Sequence, residues 1–581
     1  MKNNMRLIAL LLAMVMLFAT FVACDSTKTG VTDIVTSEQT EASTFTPAPP
    51  ISVSTNKPEE QETEEGTEAP DPRLEYSRSR EEMEEMFVLT EEDFTKAEKM
   101  IKAFEEIGVA SDDYEAVDAV YQEFEDHFYY IQTQISIASI IYYLDMNDEE
   151  ASTAYLDFYE LYGDAYNMYI ESCKKVYEKS PIRDELFADW TQEEIDELLA
   201  YNPETQELRE KNEEILVEIN ALEGADAADK TAKLYAEMVT NYNRLAKLCG
   251  YDNYYLYATE KVYRRDYTAE SIEKYASYIK KYYIENLEAI NEKWYSEYSS
   301  LSAPAANIMY YYLFDPFDKQ STNYLQKYID SLEGSMKDGM NHMFENRNVI
   351  FSNSRNSHQS AFQTYLHDLE TPFCLFGVNG QSTDSLVHEM GHYYAALYNE
   401  NTPGYDLAET QSQGNEMLML DFLKDIMMRS TYNAYKDYTM YTYVAESVIC
   451  VIIDEFEREV YSLESVEGFE SADFDAIMDK ICEEYGGKEF INENLTDVNK
   501  YWRMVAPNSP VYYISYAVSM TESLNIFYEV SQDRATGREI YRKLCEEIDE
   551  ESTFLSATQA VGLSSPFEEA TFEKIINMIM K

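Results

Sequence analysis

The sequence predicts a large, mainly α-helical protein. Its 581 residues include only 18 glycines and 15 prolines, which is little turn-forming material for a chain built mainly of β-strands. Apolar and aromatic residues also recur every three or four positions over long runs, interleaved with glutamate and lysine, which is the pattern of amphipathic helices. These runs cover residues 90–180, 205–300 and 410–485. A chain of this length can bury a sizeable core.

Residues 1–24 are predicted to be a lipoprotein export signal. Lys2 and Arg6 give the segment a basic start, and an apolar run follows over residues 7–22. Ala23 and Cys24 follow the run. A small residue before a cysteine resembles the bacterial lipobox. We therefore expect a lipid on Cys24 to anchor the protein to the membrane on the extracellular side. A simple membrane anchor and a soluble secreted protein are the alternatives, of which the anchor is disfavoured because the run is short for a bilayer span.

The remainder of the chain divides by composition. Residues 25–75 are rich in threonine, serine, proline and glutamate and are predicted to form a disordered tether. An N-terminal helical region is expected over residues 76–240, followed by the region that carries the chemistry over residues 241–581. The sequence does not indicate an oligomeric state.

The chain is strongly acidic. It contains 109 aspartates and glutamates against 46 lysines and arginines, for a formal net charge of −63. Because a nucleic-acid partner requires a positive surface, this balance excludes nucleic acid as an expected ligand.

A His-Glu-Met-Gly-His stretch, followed by Glu409, is the most informative feature of the sequence. On a helix, residues four apart lie on the same face, so His388 and His392 can direct ring nitrogens at one metal ion. Two histidines and one carboxylate leave a fourth tetrahedral position open, as in catalytic zinc sites, and Glu389 lies beside that face. The pattern predicts one Zn²⁺ bound by His388, His392 and Glu409. A structural helix with two solvated histidines is the alternative.

The surrounding sequence favours two helices joined by a short turn. Possible N-cap residues at 382–384 precede an apolar pattern that predicts a helix over about 384–398. Pro403 and Gly404 then interrupt the chain, and a second helix is predicted over about 406–428 with Glu409 near its start. Two antiparallel helices can bring that carboxylate back to the metal.

Residues 355–420 resemble the thimet oligopeptidase and oligoendopeptidase F family of zinc metallopeptidases. Its HExGH pattern matches 388–392, and its E-x-x-S-Q pattern with a further glutamate matches 409–413 and Glu416. The resemblance implies that Glu389 is the general base. It also implies a helical, two-lobed zincin fold with a small β-sheet next to the zinc helix and a deep central channel. We expect a close backbone approach at Gly391, because glycine is costly inside a helix.

Two further segments extend the resemblance. Residues 372–378 are similar to the strand before the zinc helix of the family, and we expect their exposed edge to pair with the substrate backbone. The segment can also be interpreted as a buried strand in a small sheet, and the two interpretations are compatible. Residues 510–516 are similar to the tyrosine-bearing segment that faces the zinc. Tyr512 and Tyr516, four apart, are the candidate donors to the developing oxyanion, and Tyr513 is an alternative.

The histidine that usually precedes this tyrosine segment in the family is absent, since no histidine follows His392. Arg503 or Asn508 could replace it as a hydrogen-bond donor. His358 and His367, upstream of the predicted strand, either line the cleft or only pack in the structure.

Together these features predict a zinc metalloendopeptidase that hydrolyses short oligopeptides, in which Glu389 activates the zinc-bound water. A carboxypeptidase on a similar helical scaffold is one alternative. A peptide-binding or zinc-binding lipoprotein without catalysis is the other, and the presence of Glu389 argues against it, because a protein that only binds needs no base.

Overall fold

The computed structural model describes residues 76–220, 222, 226–314, 321–358, 360–378, 380–399, 404–548 and 552–581. The predicted export signal, Cys24 and the tether over 25–75 lie outside these ranges. Within them, no helix combines the length and the apolar composition that a membrane crossing needs.

The described chain is mainly helical with one small sheet, as predicted. The helices of the first half are α1 (Arg80–Met86), α2 (Glu91–Ala110), α3 (Tyr114–Leu144), α4 (Glu149–Lys179), α5 (Arg183–Leu186), α6 (Gln192–Ala200), α7 (Pro203–Asn220), α8 (Ala227–Leu248), α9 (Tyr254–Tyr257), α10 (Ala269–Tyr278), α11 (Leu287–Ser299), α12 (Ala303–Phe314), α13 (Ser321–Ser331) and α14 (Gly334–Glu345). Short π-helical turns cover Ala258–Val262 and Ile279–Tyr283.

The sheet and the remaining helices complete the fold. The strands are β1 (Val349–Phe351), β2 (Ala361–Leu366) and β3 (Thr371–Phe376). The helices that follow are α15 (Thr383–Ala396), α16 (Tyr405–Ile426), α17 (Arg429–Ser462), α18 (Ser471–Glu483), α19 (Lys488–Asn494), α20 (Val498–Asn508), α21 (Tyr513–Gln532), α22 (Arg534–Glu546), α23 (Phe554–Ala560) and α24 (Glu569–Ile579).

Aspartate caps divide the long helical run over 90–180 into separate helices. The side chain of Asp113 accepts a hydrogen bond from the backbone of α3, and Asp148 accepts two from the first turn of α4. Each cap satisfies backbone N–H groups that have no partner within the helix, so it fixes where a helix begins. Helices α2, α3 and α4 pack around one core, formed by apolar residues between 89 and 198. The largest core is separate and draws on residues from 232 to 579.

The sheet joins a small N-terminal core to the large one. Its strand order is β1-β3-β2, with β1 parallel and β2 antiparallel to β3. Because side chains alternate across a strand, Phe373 and Leu375 face a cluster that includes Ile137 and Ile140 of α3, whereas Cys374 and Phe376 lie in the large core. Helix α15 packs in that same large core through Leu386, Val387 and Met390.

The prediction of an exposed edge at residues 372–378 is wrong for the strand itself. Strand β3 is central, and its backbone is paired with β1 on one side and with β2 on the other. From Pro372 to Phe376 every residue of the strand is buried. The segment is the buried strand of a small sheet, because its unbroken apolar run is covered on both faces and at both edges.

Candidate metal centre

Helices α15 and α16 form the frame of the candidate site. The hydroxyl of Ser382 caps α15 by accepting a hydrogen bond from the backbone of Ser385 at 3.0 Å. Gly404, at a φ of 92°, turns the chain into α16. Both helices begin within one residue of the predicted positions and end two residues early, so the local signals of the sequence were sufficient to place them.

The two helices touch at Gly391. A Cβ atom at this position would lie 2.7 Å from both the carbonyl oxygen of Gln411 and the Cα of Ser412. The glycine therefore permits the close approach that the sequence predicted. Asn415 adds a direct link, since its side-chain amide donates to the carbonyl oxygen of Val387 at 2.7 Å.

The three predicted metal ligands converge. The Oε2 atom of Glu409 lies 3.4 Å from Nε2 of His388 and 3.8 Å from Nε2 of His392. One donor atom from each residue lies within 4.8 Å of the others. In a tetrahedron with bonds of about 2.1 Å, donor atoms are about 3.4 Å apart. The donor types and their separations therefore fit one zinc ion.

A second layer of groups orients these ligands. Nδ1 of His388 is 2.8 Å from Oε1 of Glu416, so the carboxylate can hold the tautomer that leaves Nε2 available. The hydroxyl of Tyr512 donates to Oε1 of Glu409 at 2.7 Å. The hydroxyl of Ser412 donates to Oε2 of the same carboxylate at 3.2 Å. His388 and Glu409, two of the three predicted ligands, are thus each oriented by hydrogen bonds.

The electrostatics of the site favour a cation. Burial acts to lower the pKa of His388, but hydrogen bonds and charge from Glu409 and Glu416 outweigh it and raise that pKa to about 10. Burial lowers the pKa of His392 to about 4. Burial acts to raise the pKa of Glu409, but the hydrogen bond to His388 is among the stronger effects that hold it below its usual value. A positive charge is therefore stabilised at the His388 imidazole, between the carboxylates of Glu409 and Glu416.

Glu389 is almost completely buried beside this cluster, at 2 % exposure. Its position on α15 follows His388 directly, so its side chain emerges next to the face that carries the two histidines. A buried carboxylate at such a place can accept a proton from a water molecule between it and the metal site.

Tyr512 reaches the site from a strained turn before α21. Val511 has a φ of 63°, an unusual conformation for a β-branched residue, and its backbone N–H donates to Oε1 of Glu457 at 2.8 Å. Tyr512 is the N-cap residue of α21. The turn therefore directs the Tyr512 side chain back towards Glu409 rather than along the helix.

Arg265 stabilises this turn and was not identified from the sequence. Its Nη2 donates to the carbonyl oxygen of Val511 at 2.8 Å and to the hydroxyl of Ser515 at 2.9 Å. Its Nε lies 3.7 Å from Oδ1 of Asp406, which precedes Glu409 by one helical turn. Arg265 thus ties the tyrosine segment to the start of α16, across about 250 residues that no local pattern connects.

The other tyrosine candidates lie behind Tyr512. The ring of Tyr516 packs edge-on against that of Tyr512, with centroids 4.9 Å apart. Tyr513 packs edge-on against Tyr501, at 6.1 Å. The hydroxyl of Tyr512 contacts Glu409, a predicted metal ligand.

The candidate replacements for the absent histidine lie in different surroundings. Arg503 does not face the site: its Nη2 pairs with Oδ2 of Asp475 at 2.6 Å and its guanidinium stacks on Trp502. Asn508 lines a cavity that also includes Tyr512. In a chain rich in carboxylates, an arginine readily forms an ion pair. The pairing with Asp475 explains why the Arg503 side chain is directed away from the candidate metal centre.

The two upstream histidines pack against aromatic rings. His358 lies edge-on to Tyr143 at 5.2 Å, and His367 stacks on Tyr129 at 5.4 Å. Burial lowers the pKa of His367 to about 4. Both contacts are those of packing histidines.

No protein-family model and no curated protein matches the sequence. Solved structures do match the fold. A protein assigned as an oligoendopeptidase F, from crystals grown by microfluidic seeding, has a TM-score of 0.63 at 16% identity, over 86% of this chain and 96% of that chain. A PZ peptidase A structure with an inhibitor has a TM-score of 0.62 at 15% identity, over 87% and 97%.

A third match is a protein from Bacillus anthracis str. Ames, also assigned as an oligoendopeptidase F. It has a TM-score of 0.61 at 17% identity, over 86% of this chain and 95% of that chain. The similarity thus extends over nearly the whole of each solved chain and most of this one. The chain has the helical fold of the oligoendopeptidase F and PZ peptidase structures.

Proposed function

We propose that the protein is a zinc-dependent metalloendopeptidase of the thimet oligopeptidase and oligoendopeptidase F family that hydrolyses short oligopeptides. The observation that carries this proposal is the convergence of His388, His392 and Glu409 within 4.8 Å, on a chain with the fold of oligoendopeptidase F structures. One Zn²⁺ is the ion that this donor set would hold.

Zinc held by two imidazoles and a carboxylate supplies Lewis acidity, which lowers the pKa of a coordinated water to about 7 and polarises a carbonyl group. Residues of the chain carry out the proton transfers and hold the reacting groups. Glu389 takes the proton of the attacking water and returns it to the leaving amine. The single hydroxyl proton of Tyr512 lies in the bond to Glu409, and it becomes available to the carbonyl oxygen of the scissile bond only when the hydroxyl turns away from that carboxylate. Tyr516 supports the Tyr512 ring.

Cleavage of internally quenched oligopeptides tests the proposal. The full chain is expected to cut peptides whose C-terminus is amidated, because an endopeptidase does not need a free carboxylate there. The Glu389→Gln protein is expected to bind zinc to the same extent and to lose about 10²- to 10⁴-fold in kcat, since the proton acceptor is gone. Equal cleavage by the Glu389→Gln protein would contradict the role of this residue, and cleavage restricted to peptides with a free C-terminus would identify a carboxypeptidase.

For localisation, we propose an extracellular, membrane-anchored lipoprotein with the lipid on Cys24. The support is the sequence pattern of residues 1–24 alone. Metabolic labelling with a fatty acid should mark the unmodified protein and not its Cys24→Ser form. An unlabelled protein in the culture medium would instead indicate a soluble secreted enzyme.

A further inference from the structure

A tyrosine-rich cavity lies next to the candidate metal centre. Its volume is 340 Å³, within the range of about 300 to 1,000 Å³ that is typical of small-molecule pockets. Helices α6, α7 and α8 contribute to one side of it, and residues 507–512 contribute to another. Its wall includes Tyr201, Tyr254, Tyr257 and Tyr263 as well as Tyr512. Such rings offer both apolar faces and hydroxyl groups to a peptide side chain.

Arg209 of α7 lines this cavity. Its Nη2 donates to the hydroxyl of Tyr257 at 2.9 Å. Among the residues that the structure describes, no carboxylate forms an ion pair with it. This is unusual in a chain with 109 acidic and 46 basic residues, because a shielded arginine normally lies beside an acid. A guanidinium has five N–H donors in a planar fork, so the bond to Tyr257 leaves donors available for a ligand.

The other charged groups of the cavity wall are less suited than Arg209 to bind an anion. Lys261 pairs with Glu197, with Nζ and Oε1 2.9 Å apart. Glu213 lies one turn beyond Arg209 on α7 and also lines the cavity. Burial raises the pKa of Glu213 to about 7, so its carboxyl carries less than a full negative charge at neutral pH. The local charge near Arg209 therefore permits an anionic ligand in an otherwise acidic protein.

Tyr512 connects this cavity to the candidate metal centre, since it lines the cavity and its hydroxyl contacts Glu409. A peptide that is held at the metal and runs past Tyr512 would reach the space beside Arg209. We infer that Arg209 binds a carboxylate of the peptide substrate and makes this cavity a specificity pocket for anionic peptides. The carboxylate is either the C-terminus of the peptide or an acidic side chain, because both present the planar two-oxygen group that a guanidinium binds bidentately. This inference rests on the proposed function.

Three matched peptides, tested on the full chain, separate the two sources. The first is neutral and amidated, the second has the same sequence with a free C-terminus, and the third is amidated with one glutamine replaced by glutamate. We expect the unmodified protein to prefer at least one carboxylate peptide. Arg209→Gln should raise KM for that peptide by about 10- to 100-fold and leave the neutral peptide unchanged. Arg209→Lys should retain part of the preference, since lysine keeps the charge without the fork.

Arg244→Gln is the matched control for the loss of a positive charge, because Arg244 is mostly exposed and pairs with Glu204 outside the cavity wall. It should behave as the unmodified protein. Equal kinetics on all three peptides, or an Arg209→Gln protein that loses the neutral peptide to the same degree, would overturn the inference while leaving peptide hydrolysis intact.

Binding of the same peptides, measured by fluorescence anisotropy, distinguishes the inference from the proposed function. Carboxylate-dependent binding that Arg209→Gln abolishes would support the pocket even in a protein that cleaves nothing. A protein that neither cleaves nor binds any of the peptides would overturn both.

Discussion

The hydroxyl of Tyr512 donates a hydrogen bond to Oε1 of Glu409 at 2.7 Å, although the two residues are 103 positions apart in the sequence. The bond leaves Oε2 directed at the two histidines. Tyr512 therefore orients a predicted metal ligand, a role that its resemblance to an oxyanion donor did not indicate. Three elements meet in this contact: the start of α16, the strained turn at Val511 and the start of α21.

Replacement of Tyr512 by phenylalanine separates these two roles. Because an outer-shell hydrogen bond orients the ligand, we expect zinc affinity to fall by about 10-fold or more in Tyr512→Phe. If the hydroxyl also donates to the scissile carbonyl, kcat at saturating zinc should fall by a further factor of about 10² to 10³. Competition with a chelator and kinetics with added zinc measure the two effects. Tyr516→Phe, which keeps the ring packed on Tyr512, should change zinc affinity little, and an unchanged affinity in Tyr512→Phe would exclude the orienting role.

Glu416 should matter for the metal although it is not among the predicted ligands. Its carboxylate contacts Nδ1 of His388, so Glu416→Ala removes the group that fixes the ring. We expect a loss of about 10- to 100-fold in zinc affinity, and a smaller loss in Glu416→Gln, which retains an acceptor. Asp425→Asn removes an exposed carboxylate from the same helix and is the matched control. Equal zinc affinity in the Glu416 and Asp425 variants would mean that only net charge matters.

Gly391→Ala should destabilise the site and the fold together. The added methyl group would lie 2.7 Å from backbone atoms of α16, which no rotamer change can relieve, so the two helices must move apart. We expect the free energy of unfolding to fall by about 1 to 3 kcal/mol. Gly163→Ala is the control, since nothing lies within 4 Å of its added Cβ on α4 and the helix should gain about 0.5 to 1 kcal/mol. Thermal unfolding of both variants measures these changes in stability. Similar changes in the two variants would argue against a close contact at Gly391.

Glu522 should make stability decrease with rising pH. Burial is the main cause that raises the pKa of this fully buried carboxyl to about 8, while a hydrogen bond from Asn525 and the charge of Lys574 act in the opposite direction. Between the usual pKa of glutamate and about pH 8, the folded protein holds a proton that the unfolded chain releases. The free energy of unfolding should therefore fall as pH rises, by up to about 1.4 kcal/mol per pH unit from this group.

The Glu522→Gln protein removes that dependence. Its free energy of unfolding should equal that of the unmodified protein near pH 5 and exceed it near pH 8. Denaturant unfolding at the two pH values measures the difference. A variant that is less stable at pH 8 would show that the ionised carboxylate is stabilised in the fold.

Local sequence signals were sufficient to predict the two helices of the candidate site. Ser382 caps α15, Gly404 turns the chain into α16, and the shared face of His388 and His392 follows from helical spacing. Gly391 was identified as a close contact because a glycine inside a helix requires an explanation. These features depend on neighbours within a few residues, which a sequence displays directly.

Relationships between distant segments could not be predicted in this way. Strand β3 was expected to be exposed at one edge, but β1, a strand of three residues with no periodic pattern, pairs with it. Arg265 and Ser515 are 250 residues apart. Arg209 was one charged residue among many until the fold placed it in a cavity wall with Tyr512. In each case the tertiary structure, and not the local pattern, determines the role.

The most direct test of the central claim is the zinc content of the full chain and its His392→Ala form, measured by elemental analysis on samples that are also assayed for peptide cleavage. We predict about one zinc per chain with cleavage in the unmodified protein, and neither in His392→Ala, because one donor of the three is lost. A purified, folded protein that cleaves peptides without zinc or another divalent metal, or a His392→Ala protein that retains both, would contradict the assignment of His388, His392 and Glu409 as the metal centre.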